Sequence, residues 1–499
     1  MVNRLSRRFV LSGLATLAAS GTALAQPPLV SLRPQMRGTN LRVRAAGQPQ
    51  ALAVKSGLSG DVAWAVSDVK SGQQLEAFQD DRTLPPASVA KAVTALYALE
   101  HLGPNYRFAT RLMITGSLQN GVVSGDLILA GGGDPTLDTD GLALMASKLK
   151  SAGVREVRGR FRVYDGALPF VRSIDEGQPD HVGYSPAISG IALNYNRVHF
   201  EWKRGAKGYA VSMDARSEKY RPEVAMAVMR VANRQLPVYT YKDDRGKDNW
   251  TVANRALGKG GARWLPVRRP AEYAGDVFRT MARANGIVLK KAEVTQNLPA
   301  GAKAVVTQTS IPLQEILRGM LKYSNNLTAE MVGMSASAKM SGRRPRSLKD
   351  SSQLMSKWAA AKFRMSRTSL VDHSGLGDAS RTTARDLVNA LVAVRRTGQL
   401  RPLMKPIPIR DKKGRVQKGH PIKVNAKTGT LNFVSGLGGF MTAADGTELA
   451  FAIFAADTNT RAKIKRADRE RPQGAKGWNG RAKAFQQVLI ARWGSLYGS

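Results

Sequence analysis

The stretch Pro85-Pro86-Ala87-Ser88-Val89-Ala90-Lys91, continuing as Ala92-Val93-Thr94-Ala95-Leu96-Tyr97-Ala98-Leu99, decides how the rest of the chain is read. The two prolines mark a helix entry, and Gly103-Pro104 stops the helix that follows. From Val89 to Leu102 the side chains are apolar nearly all round, which places the helix in the centre of a domain. Ser88 and Lys91 are three positions apart, so on a helix they share a face about one turn apart. A lysine in such surroundings is desolvated, which favours the neutral amine, and a neutral amine can take a serine proton. The same spacing recurs at Ser67/Lys70 and Ser147/Lys150. Only Ser88 opens an almost uncharged helix, where an unpaired buried lysine is costly unless it has a task.

Two further elements follow in order. Ser324-Asn325-Asn326 lies between two stretches with helical apolar spacing, Glu315–Lys322 and Leu327–Lys339. There a serine can relay a proton to a leaving amine, and the Asn326 amide can bind the lysine and a substrate amide together. Lys427-Thr428-Gly429-Thr430 precedes two strand-like runs, Val434–Thr442 and Leu449–Ala455, joined around Asp445-Gly446 as a hairpin. On a strand beside a cleft, Lys427 supplies positive charge and Thr428 a hydroxyl to a carboxylate, while Gly429 lets a substrate backbone approach. Each element alone also reads as an ordinary loop or turn; the ordered set Ser-x-x-Lys, Ser-x-Asn, Lys-Thr-Gly resembles the signature shared by class A β-lactamases and penicillin-binding proteins.

On these motifs the chain resembles the D-alanyl-D-alanine carboxypeptidase/endopeptidase family, the class C low-molecular-mass penicillin-binding proteins. Gly131-Gly132-Gly133-Asp134-Pro135-Thr136-Leu137, Tyr323–Leu327 with Ala329-Glu330, and Ser374-Gly375-Leu376 with Ser380-Arg381 carry the likeness further. His373 and Gly377-Asp378-Ala379 depart from the usual form of the last segment. The resemblance implies an α+β fold: a penicillin-binding/β-lactamase-like transpeptidase domain, with an antiparallel sheet flanked by helices and inserted β-rich domains. It implies Ser88 as nucleophile, Lys91 as general base, Ser324 as proton relay, and Asn326 and Lys427 as catalytic partners. Thr428, Gly429 and Thr430 would bind substrate, with the backbone N–H groups of Ser88 and Thr430 as oxyanion hole. It also implies a substrate-binding role for Arg381, and for Asp134 near the free end of a diaminopimelate residue; Asp134-Pro135 equally reads as a turn initiator. Peptidoglycan stem peptides are the implied substrate and β-lactams the implied inhibitors, with no cofactor and no metal.

The organisation follows. Residues 1–25 read as a signal peptide, with Arg4, Arg7 and Arg8 before the apolar run Phe9–Ser20 and Ala23-Leu24-Ala25 before Gln26. Ser6-Arg7-Arg8-Phe9 allows the twin-arginine route as well as the general secretory one. A periplasmic or otherwise extracytoplasmic protein, with no transmembrane anchor once processed, is the expectation. Residues 26–105 and 305–499 are expected to form one discontinuous catalytic domain. Residues 106–304, where short β-like runs alternate with turns, are expected to form a β-rich insert of two nested domains.

Composition sets limits. Hydrophobic residues make up 43% and charged residues 23%, a soluble globular balance. The absence of cysteine excludes disulfides and thiolate chemistry. A net charge of +39 would suit nucleic acid, but no binding motif accompanies it and the leader points away from the cytoplasm. The five histidines lack ligand spacing. A β-lactamase of class A would need a glutamate between the second and third motifs, and Met331 to Ala426 contains none. A catalytically inactive wall-binding scaffold would have lost one of the named residues, and all are present.

Overall fold

The computed structural model describes residues 47–411 and 413–498. The signal-peptide reading of residues 1–25 lies outside these residues. The main sheet is antiparallel and six-stranded, and both ends of the described chain build it. β1 (Asp61–Asp68) and β2 (Gln74–Phe78) come first, and β3 (Lys423–Leu431), β4 (Val434–Thr442) and β5 (Glu448–Ala456) come last. A short strand, Lys405–Pro406, lies outside β3, and the order continues β3-β4-β5-β1-β2. β1 closes on β5 with Trp64 opposite Ile453, and β3 pairs β4 with Lys427 opposite Gly438.

Both faces of the sheet are covered, which explains the unbroken burial along β4 and β5. Alternate residues point to opposite sides. Ala63, Ala65, Val434, Phe440, Ala452 and Phe454 face a helical layer. That layer contains α1 (Ala90–Leu102), α2 (Leu313–Tyr323), α3 (Asn326–Ser341), α4 (Leu348–Phe363) and α5 (Ala384–Arg395). Trp64, Leu437, Met441, Phe451 and Ile453 face α6 (Ala475–Tyr497), which contributes Trp478, Phe485, Leu489 and Trp493. Fully burying each such side chain contributes roughly 1.5–3 kcal/mol. The second core therefore fixes the sheet from behind, and α1 lies at the centre of the front layer with ten buried residues.

Between α1 and α2 the chain forms a five-stranded mixed sheet of Glu293–Thr295, Phe161–Tyr164, Leu127–Ala130, Ala109–Ile114 and Lys303–Thr309. Two three-stranded sheets are formed by residues between 197 and 266. Alongside the strands of this β-rich region the structure has two helices. Helices Thr139–Ser151 and Pro270–Ala284 pack on the five-stranded sheet. Their apolar positions, such as Leu142, Met145, Ala146 and Leu149, recur at helical spacing, and Asp138 caps the first helix through the Gly141 N–H. The last strand also runs past residue 304, to Thr309.

Candidate active site

Ser88 sits in a single 3₁₀ turn, Ala87–Val89, that leads directly into α1. Ala87 adopts a left-handed φ of 46°, a strained conformation for alanine that tips the serine out of the helix line. Two glycines make room for this turn. A Cβ on Gly429 would stand 2.7 Å from the Pro86 carbonyl oxygen, and one on Gly375 would stand 1.9 Å from that of Ala87. The sequence suggested that Gly429 admits the substrate backbone; the space its missing side chain leaves is taken by the turn that carries Ser88.

Lys91 is fully buried one turn further on. Its Nζ lies 3.0 Å from Ser88 Oγ, 2.7 Å from Asn326 Oδ1 and 2.8 Å from the Ser374 carbonyl oxygen. The Asn326 amide orientation is fixed, because its Nδ2 donates to the Tyr184 carbonyl at 2.9 Å. Two of the three neighbours of Nζ are therefore pure acceptors. A neutral amine has two N–H groups, one for each carbonyl oxygen, and its lone pair is left facing the serine hydroxyl. Burial pulls Lys91 down to about 8, against the raising influence of Glu330 and Asp372.

Ser324 ends α2 in the left-handed conformation, with φ 58°, which turns its side chain back toward the cleft. Asn325 then caps α3 by accepting the Thr328 N–H. Lys427 Nζ lies 3.0 Å from Ser324 Oγ and donates to the Thr428 carbonyl at 2.6 Å. Burial, with the positive charges of Lys91 and Lys405 nearby, brings Lys427 down to about 6. These surroundings favour its neutral form, so the positive charge that the sequence suggested is held there against burial. Ser88, Ser324, Asn326 and Thr430 line one cavity of about 280 Å³, with Tyr184, Leu376 and Asn432 among its other walls. Thr428 and Gly429 line a larger groove of about 1010 Å³ beside α6, and Thr430 borders both. Lys405–Pro406 pairs only with Asn425 and Ala426, so the outer edge of β3 from Lys427 onward has no neighbouring strand in the described sheet.

The remaining two candidates lie differently. Asp134 is buried and accepts the Thr136 N–H at 2.8 Å and hydroxyl at 2.7 Å, so it closes the turn that its Asp-Pro sequence allowed. Arg381 donates to the Asp378 and Ser380 carbonyls and so closes its own loop. The arginines in the cavity wall are Arg461 and Arg469, both paired with Asp378. Glu470 completes that wall. The hydrogen bond from His181 holds its carboxyl far below the usual range, and the two are 2.7 Å apart.

A buried polar chain beneath the lysine went unread in the sequence. Glu330, one turn into α3, accepts the N–H groups of His373 and Ser374, each at 2.9 Å, and His373 Nδ1 at 3.0 Å. Both side chains of this pair are completely enclosed. Burial opposes the charge of Glu330, but the hydrogen bond and charge of His373 outweigh it and hold the carboxyl below its ordinary range. His373 Nε2 continues the chain to Ser351 at 3.0 Å, and Ser337 links Ser351 to the Tyr97 hydroxyl. Burial and the like charge of Glu330 push neighbouring Asp372 up to about 7. The available signal was Glu330 in α3 and a histidine where the resembled family has another residue.

His199, Glu201 and Asp214 bring potential metal-ligand atoms within 4.8 Å of one another. Arg216 already pairs with both carboxylates, at 2.8 and 3.0 Å. Among the described residues no helix is long and apolar enough to cross a membrane.

The family described as D-Ala-D-Ala carboxypeptidase 3 (S13) matches residues 49–472. The D-alanyl-D-alanine carboxypeptidase of Actinomadura sp. (strain R39) is 28% identical over 435 residues, covering 80% of this chain and 78% of the relative. The D-alanyl-D-alanine carboxypeptidase DacB of Haemophilus influenzae is 25% identical over 432 residues, covering 82% and 88%. In fold, the chain is similar to penicillin binding protein 4 of Haemophilus influenzae in complex with a β-lactam. The TM-score is 0.68 at 20% identity, over 88% of this chain and 98% of that one.

Proposed function

The chain belongs to the D-Ala-D-Ala carboxypeptidase 3 (S13) family and is a serine-type D-Ala-D-Ala carboxypeptidase of the penicillin-binding kind, and on that premise we propose that Ser88 is its nucleophile and Lys91 the base that activates it. The observation that carries this is the placement of Lys91 Nζ, which has two fixed carbonyl acceptors and the Ser88 hydroxyl as its third neighbour.

In the proposed reaction the substrate peptide lies along the open edge of β3, as an added strand would. Ser88 Oγ attacks the carbonyl carbon of the penultimate D-Ala while its proton passes to Lys91. The backbone N–H groups of Ser88 and Thr430 receive the oxyanion; one such donor is typically worth about 10²- to 10³-fold in rate. The C–N bond breaks, and the leaving amine of the terminal D-Ala takes a proton through Ser324, which stands between the cleft and Lys427. Water then hydrolyses the Ser88 ester. The terminal carboxylate docks near Lys427 and Thr428, and its charge draws a proton onto Lys427. Residues 26–105 and 305–499 form the catalytic module in this reading, and residues 106–304 form an insert whose loop around Gln178 and Tyr184 walls the cleft.

The proposal extends to endopeptidase cleavage of cross-links, inhibition by β-lactams, and export through the leader of residues 1–25. The same bond chemistry serves a cross-link, because the leaving amine then belongs to a second stem peptide. Incubation with purified peptidoglycan fragments and mass analysis of the products tests it. Loss of one terminal D-Ala, or separation of a dimer into monomers, supports the proposal; unchanged fragments contradict it.

A further inference from the structure

A second cavity, of about 340 Å³, reaches Ser324 from the other side. It shares Tyr184, Ser324 and Asn326 with the Ser88 cavity and runs back to Tyr195, Arg197 and Trp264. Its lining holds one formal charge, the guanidinium of Arg197, and no carboxylate. Arg197 has no ion pair with any described residue, and its Nε is buried without a hydrogen-bond partner. Its guanidinium lies against two aromatic rings: the guanidinium carbon is 5.5 Å from the ring centre of Tyr195 and 5.4 Å from that of Trp264. Burial works against its charge and lowers its pKa, with Tyr195 and Tyr273 opposing.

The backbone at this point is held in a costly shape. Asn194, Tyr195 and Asn196 all have left-handed φ values, of 50°, 57° and 50°. A left-handed backbone at three consecutive non-glycine residues persists only where its surroundings enforce it. Asn196 enforces it by accepting the Leu193 N–H at 3.0 Å and donating to the Ala187 carbonyl at 2.8 Å. Asn194 does so through Thr139 Oγ1 at 2.9 Å. The result is a half-exposed tyrosine ring set against an unpaired arginine beside the cleft.

We propose that this cavity is a carboxylate-binding subsite, in which Arg197 takes a substrate carboxylate on its planar fork and the rings of Tyr195 and Trp264 hold the pair flat. An arginine already stacked on aromatic faces is preorganised for that geometry, and paired charged hydrogen bonds are the strong ones. The inference rests on the function proposed above. In a wall peptide two free carboxylates stand upstream of the cleaved bond: the α-carboxylate of a γ-linked D-glutamate and the carboxylate of the diamino acid's side chain. The shared chemistry is a carboxylate within a few residues of the scissile carbonyl.

The test uses synthetic D-Ala-D-Ala pentapeptides in three forms: both carboxylates free, the glutamate amidated, or the diamino acid amidated. Each is assayed by D-Ala release with the wild-type protein, Arg197→Gln and Arg197→Lys. With the wild type, one amidation lowers kcat/KM on the order of ten- to a hundredfold, as befits a charged hydrogen bond, and identifies the source. Arg197→Gln removes most of that penalty, and Arg197→Lys retains part of it. If neither amidation slows the wild type, or the penalty is the same in Arg197→Gln, the subsite is refuted. Failure of the wild type to cleave even the free peptide would instead refute the underlying function. Arg197→Lys, which keeps the charge, carries the comparison if Arg197→Gln does not fold.

Discussion

Lys91 Nζ lies 2.7 Å from Asn326 Oδ1, a residue 235 positions further along the chain. This bond ties the start of α1 to the start of α3 and fills one of the two N–H positions of a neutral lysine. It is also why the second motif matters to the first: without the Asn326 carbonyl, the amine could rotate its lone pair away from Ser88.

In the proposed reaction the state that acylates needs Lys91 neutral and Lys427 charged. Lys91, lowered to about 8, gains its neutral form as pH rises through that value; Lys427, lowered to about 6, loses its charge as pH rises through 6. The product of the two is a low, flat-topped bell in the second-order rate of acylation by a carboxylate-bearing penicillin, with limbs at about 6 and 8. The limbs belong to the pair of lysines rather than to either alone. A rate that keeps climbing above pH 9 would remove the charge of Lys427 from the account.

Binding a carboxylate should raise Lys427, which burial and the charges of Lys91 and Lys405 bring down to about 6. Titration calorimetry of benzylpenicillin into Ser88→Ala at pH 7.5, in two buffers of different ionisation enthalpy, should register uptake approaching one proton. A heat independent of the buffer would mean that the carboxylate docks elsewhere.

Glu330 raises Lys91, so Glu330→Gln should lower Lys91 further and move the upper limb of the bell to lower pH. The variant should also lose stability on the order of 3–5 kcal/mol, since it leaves His373 and two buried N–H groups facing an amide. Chemical denaturation and the acylation profile read the two effects separately. An upper limb still at its wild-type position would show that the buried pair is only structural.

The parts legible in the sequence are those whose chemistry is local. Ser88 and Lys91 are three residues apart in an uncharged helix, and Lys427 stands just before a hairpin with a clear turn, so period and punctuation revealed them. The Glu330–His373 pair joins residues 43 apart through packing, and no periodicity announces it. The helices at 139–151 and 270–284 lie among the short strand-like runs that set the texture of residues 106–304, though Asp138 and Pro270 are ordinary helix-start signals. Asp134 and Arg381 follow the family pattern in sequence, but each closes its own loop, and the cavity wall takes its arginines from 461 and 469.

The close fit of Gly333 to His373 gives another expectation. A Cβ at position 333 would stand 2.1 Å from His373 Cδ2, and the ring is enclosed on all sides. Gly333→Ala should therefore destabilise by roughly 1–3 kcal/mol in urea unfolding, the usual range for overpacking. In a His373→Ala background the same substitution should cost almost nothing, which makes the pair a double-mutant cycle. Equal costs in both backgrounds would place the strain elsewhere.

The central claim is that Ser88 forms the acyl-enzyme, and intact mass after reaction with benzylpenicillin tests it most directly. The account predicts one penicilloyl adduct per chain, found by peptide mapping on the fragment containing Ser88 and absent from Ser88→Ala. An adduct on another residue, or one that survives in Ser88→Ala, would contradict it.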